Sequence, residues 1–88
     1  MKKDIKKNII GYIEILCGLV IYDIKTNQTI EAETGLDYLD NMLNRSLNTP
    51  IENDIKSIIK YRIKDFMSTI NEDHRLWEKL KYLLDKTK

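Results

Sequence analysis

Between residues 51 and 70 the apolar side chains return every three or four positions: Ile51, Ile55, Ile58, Ile59, Ile63, Phe66 and Ile70. At 100° per residue a helix gathers all of them on one side, whereas a strand would scatter them over both faces. The helix has a well-marked start. Thr49 can serve as N-cap, Pro50 has its φ already set for the first helical position, and Glu52 stands where a capping box wants a carboxylate. One residue disturbs the pattern. Arg62 falls inside the apolar arc, between Ile58 and Ile55, while Lys56, Lys60 and Lys64 start at its edge and run down the solvent side.

A guanidinium placed there needs an internal carboxylate or carbonyl, a path to water past the core edge, or another molecule. Asp65 and Asp54 are the acids nearest in sequence, and an acid from another helix serves equally well. Arginine flanked by isoleucine and phenylalanine is also the kind of anchor that protein interfaces favour.

Three further segments show helical spacing. The first runs from about Asp4 to Cys17, with Ile5, Ile9, Tyr12, Ile13, Leu16 and Cys17 on one side. Its apolar arc is wide, taking in Ile10 and Ile15, so it should touch several neighbours. Gly18 is placed to end it. The second opens at Thr34 as N-cap and carries Leu36, Leu39, Met42, Leu43 and Leu47. The last is capped by Asn71 and turns Leu76, Trp77, Leu80, Leu83 and Leu84 inward. Between the first and second, "LVIYDIKTNQTIEAET" gathers β-branched and aromatic residues around the turn-like "KTNQ". A hairpin over residues 19–34 is the preferred reading, and a continued helix followed by an irregular loop is its competitor. The expected fold is therefore mainly α. It is a compact bundle of four amphipathic helices with a short β-hairpin between helices 1 and 2, residues 1–88 forming one small domain.

Charge limits the function classes. Fifteen basic residues stand against fourteen acidic ones, both signs spread along the chain, which leaves a formal charge of +1. A dedicated nucleic-acid module is usually more basic. The lysine, isoleucine and asparagine bias suits an AT-rich genome, such as that of a low-GC bacterium or its phages and mobile elements. A lone cysteine, Cys17, permits no internal disulfide and points to a reducing, cytoplasmic setting. Glu14 interrupts the apolar run near the start, so neither a signal peptide nor a membrane span is expected.

Reaction chemistry is sparse. His74 is the only histidine, no His/Cys spacing suits a metal, and there is no glycine-rich phosphate loop or nucleophile elbow. Asp37 and Asp40, three apart, read as solubilising charge. No catalytic residue, metal ligand or cofactor is expected, and no enzyme activity. The order "IEILCGL", "LDYLDNML", "IKYRIKDFM" is similar to the last helices of the middle domain of translation-initiation scaffold proteins, in leucine and isoleucine positions only. In size, lysine content and helix count the chain also resembles small immunity or inhibitor proteins of bacteria and phages.

The leading expectation is a protein-binding module, an adaptor or inhibitor that occludes or bridges a larger protein. It would use Lys60, Tyr61, Arg62 and Lys64, or the hairpin edge, with self-association as a close variant. The alternative is a nucleic-acid-binding regulator using Lys56, Lys60, Lys64, Arg75 and Lys79.

Overall fold

The computed structural model describes residues 2–88 and contains four helices: α1 (Lys2–Lys25), α2 (Thr29–Ser46), α3 (Glu52–Ser68) and α4 (Trp77–Lys86). Among the described residues there is no β-strand, so the expected hairpin over residues 19–34 does not exist. Its first half is the end of α1 and its second half the beginning of α2.

The reason lies in the spacing of the buried residues. Ile13, Leu16, Cys17, Val20 and Ile24 are all buried, and they step along α1 at three- and four-residue intervals straight through Gly18. Ala32, Leu36, Leu39 and Leu43 do the same along α2. Each helix thus gains a longer apolar seam, which outweighs the local β preference of Val20, Ile21, Tyr22 and Ile24. "KTNQ" is a turn as expected, but it joins two helices. Asn27 takes a left-handed φ of 61°. Its N–H donates to the Ile24 carbonyl (3.2 Å), and the Gln28 N–H donates to that of Asp23 (2.8 Å). This is a Schellman arrangement with asparagine where glycine is commoner. Gly18, expected to end α1, has an ordinary helical φ.

The other helix starts shift by a few residues. Asn48, at φ 66°, ends the second helix, and its N–H donates to Glu52 Oε1 (2.6 Å). The Thr49 hydroxyl turns back to the Ser46 carbonyl and caps nothing ahead of it. α4 begins at Trp77 rather than near Asn71. The intervening turns are held by His74, whose Nδ1 accepts the Leu76 N–H at 3.0 Å.

The helices run up, down, up, down. α2 and α3 each touch all three other helices, while among the described residues α1 and α4 do not meet. The bundle is therefore a rhombus in section, with α1 and α4 at its far corners. One core of Ile13, Val20, Leu36, Leu39, Ile59, Ile63, Phe66, Leu76, Leu80, Leu83 and their neighbours fills the middle. Trp77, expected there, is only half-buried and lies over Met67 and Leu84 at the surface. Gly35 lets α2 approach α1 closely, since a Cβ on it would fall 2.5 Å from Val20 Cγ2. Opposite charges stitch the parallel pairs: Lys6 to Asp54 (2.9 Å) and Glu14 to Arg62 between α1 and α3, Lys79 to Asp37 and Lys86 to Asp40 between α4 and α2.

Candidate functional site

Arg62 finds its partner on another helix. Its guanidinium reaches across to the Glu14 carboxylate of α1, with Asp65 a looser second acid at 3.9 Å. The hydrogen bond it donates to Glu14 raises the guanidinium pKa further above its already high value. Both side chains stay more than a third exposed. Arg62 therefore sits at the core edge, clamping α3 to α1, and Asp54 is taken by Lys6 instead.

Around it the other sequence-predicted residues diverge. Tyr61 is 69 % exposed, and Lys60 and Lys64 are exposed with no ion pair among the described residues. Tyr61 and Arg62 line an open depression with Glu14, Ser57 and Ile58. In the alternative set, Lys56 is bound to Glu52 (2.7 Å), Arg75 to Glu33 (2.8 Å) and Lys79 to Asp37. These three cations already have carboxylate partners, and a phosphate would have to displace them. Asp37 and Asp40 are likewise occupied, by Lys79 and Lys86. Glu52 accepts from both Lys56 and the Asn48 N–H, which lowers its carboxyl pKa below 4.5.

Cys17 lies in the core beside this clamp. Burial pushes its thiol up to about 12, a rise that nearby Arg62 only partly opposes and Glu14 adds to. At neutral pH it is a thiol with no access to solvent, which is the condition of an inert packing residue. Among the described residues no group of three or more His, Cys, Asp and Glu is arranged to hold a metal ion. No described helix is long and apolar enough to cross a membrane. An apolar depression at the α2–α3 loop is lined by Ile9, Met42, Ile51 and Ile55, with Arg45 at its rim.

The surface that sequence reasoning missed is the outer side of α1. Between Lys7 and Asp23, Glu14 is the one charged residue, in a chain that is 33 % charged. Tyr12, Ile15, Leu19 and Tyr22 follow one another at three- or four-residue steps, and all are at least half exposed, Ile15 at 69 %. Ile5, one heptad before Tyr12, continues the row. Gly11 and Gly18 lie along its α3 side, and a Cβ at either would meet nothing within 4 Å. Tyr12 borders Tyr38 of α2 on the other side. A corner helix covered by two neighbours leaves such a face open. The wide apolar arc of the first helix was the available signal. The β-branched and aromatic run after Gly18 masks it, since a strand there takes Leu19 and Tyr22 off the helix.

Searches against protein-family models, curated proteins and solved structures find no match to this chain.

Proposed function

We propose that this chain is a small protein-binding module, an adaptor or inhibitor that works by covering or bridging other protein surfaces. Its contact surface is the outer side of α1 together with the adjoining shoulder of α3, where Lys60, Tyr61, Arg62 and Lys64 lie. The observation that carries this reading is the uncharged outer face of α1 from Gly11 to Tyr22, with its four large exposed side chains. An apolar row of this extent is costly to leave in water, and faces of this kind mark protein contact sites. Tyrosine is over-represented at such contacts, and Tyr12, Tyr22 and Tyr61 supply it. Charged lysines at the α3 edge would form the polar rim.

The reading places no catalysis in the chain and assigns no cofactor. It takes the cytoplasm as the working compartment, in keeping with a buried free thiol, and a phage or mobile-element origin fits the lysine-rich composition. The nucleic-acid alternative keeps only Lys60 and Lys64 uncommitted, since Lys56, Arg75 and Lys79 are held by acids.

The test uses the intact chain as bait in an extract of the organism that encodes it, beside Leu19→Glu and Tyr61→Ala variants whose helicity is checked by circular dichroism. The reading expects a specific protein held by the wild type and lost from both variants. Equal retention by all three would overturn the assigned surface. Salt-sensitive retention on random DNA or RNA in its place would favour the regulator.

A further inference from the structure

We infer that the outer face of α1 is covered by the α1 of a second copy of this chain, the two helices antiparallel and crossing at Ile15. The inference rests on the protein-binding reading above and names the occupant of that surface.

Extent comes first. The five exposed side chains Ile5, Tyr12, Ile15, Leu19 and Tyr22 offer on the order of 600 Å² per chain, so a pair that covers all of it buries about 1,200 Å², the lower bound for a stable dimer. The residues flanking that row would add to it. A face that meets its own copy must also carry little charge, because every charge then meets its like. From Gly11 to Tyr22 the outward positions hold none, Glu14 being turned to Arg62 at the shoulder.

The pattern is also self-complementary. Gly11 and Gly18 lie toward α3, Tyr12 and Leu19 toward α2, and Ile15 stands between. Turning α1 end for end about Ile15 carries Gly11 to within one residue of Gly18, and Tyr12 to within one residue of Leu19. In a two-fold antiparallel pair the same flank meets the same flank. The glycines of one chain then face those of its copy, allowing the backbones to approach, while Tyr12 packs on Leu19 across the axis. A glycine inside a helix gives up roughly 1 kcal/mol relative to alanine. Among the described residues nothing comes within 4 Å of a Cβ placed at Gly11 or Gly18. A second backbone does.

Polarity decides the orientation. Residues 2–7, "KKDIKK", hold four lysines against one acid, of which Lys6 is answered by Asp54, and a parallel pair would bring two such stretches together. The antiparallel pair separates them and opposes the two helix dipoles. It also puts Lys60, Tyr61 and Lys64 of both chains on the same side of the dimer. A larger partner would therefore meet that shoulder twice.

The mass of the intact chain in solution is the first measurement. At about 100 μM, where a Kd near 10 μM leaves most chains paired, sedimentation should give twice the 10.5 kDa chain mass. Ile15→Glu should weaken association at least a hundredfold without changing the fold, because Ile15 is 69 % exposed in the single chain. Gly18→Leu should do the same, since in the monomer a Cβ at residue 18 meets nothing within 4 Å. Orientation is read by oxidation in a Cys17→Ala background. Ile15→Cys should form a covalent dimer, and Ile5→Cys should not, as the two copies of residue 5 then lie about 30 Å apart. A monomer at this concentration, or a dimer indifferent to Ile15→Glu, overturns the inference. So does efficient linking through Ile5→Cys, which requires the parallel pair. A monomer that still captures a host protein through Leu19 would remove the dimer and leave the binding-module reading standing. A monomer that captures nothing would remove both.

Discussion

Arg62 shows how a single residue can be legible in kind and illegible in detail. Its place inside an apolar arc demanded a partner, and the acid that answers is Glu14, 48 residues away. No spacing rule within one helix can point to it. Because both side chains remain more than a third exposed, water screens the pair, and its coupling belongs with surface ion pairs at no more than about 1 kcal/mol. Arg62→Ala should leave the fold intact, and a double-mutant cycle with Glu14→Ala in urea should return a coupling of that size. Cys17 gives a second residue-scale test. Folding raises its thiol from 9.0 to about 12, so below pH 9 the thiol is neutral in both states and the stabilisation is fully present. Between pH 9 and 12 only the unfolded chain ionises. Stability then falls as pH rises, by up to about 1.4 kcal/mol per unit. Cys17→Ala should show a shallower alkaline decline. Equal slopes would contradict the burial of the thiol.

At the scale of elements the sequence was most readable where one signal acted alone. The third helix, whose isoleucine row only Arg62 breaks, lies within two residues of expectation, although it starts at Glu52 just after the expected Thr49–Pro50 cap. The α1–α2 junction was misread because two signals conflicted. Val20, Ile21, Tyr22 and Ile24 favour strands locally, yet Val20 and Ile24 also complete the buried seam begun by Ile13 and Leu16. Two glycines differ in role: Gly18, expected to end α1, is an ordinary helical residue, and Gly35 is a packing device. Substitutions separate these roles. Gly35→Ala places a methyl against Val20 Cγ2 and should destabilise by about 1–2 kcal/mol despite the helix preference of alanine. Gly11→Ala and Gly18→Ala meet nothing and should stabilise the isolated chain by roughly 0.5–1 kcal/mol each. Thermal melts at high dilution measure all three. Asn27→Ala, in a left-handed turn, should cost about 1 kcal/mol, and Asn27→Gly should not.

For the whole molecule, the rhombic arrangement matters more than any one helix. Two corner positions have only two neighbours each, and α1, the longest helix, occupies one of them. At the other corner α4 carries Lys79, Lys81 and Lys86 outward or toward acids of α2, and Tyr82 is its one large apolar side chain more than half exposed. α1 carries tyrosine, isoleucine and leucine there. That difference between two equivalent corners is the basis of the functional account. The sequence hides it, because Gly18 and the β-branched residues after it mimic a helix end. The most direct test follows amide chemical shifts as the chain is concentrated from micromolar to millimolar. Shifts gathered on Tyr12, Ile15, Gly18, Leu19 and Tyr22, with weaker ones at Tyr61, are what the account predicts. Shifts confined to the outer sides of α2 and α4, or none at any concentration, would contradict it.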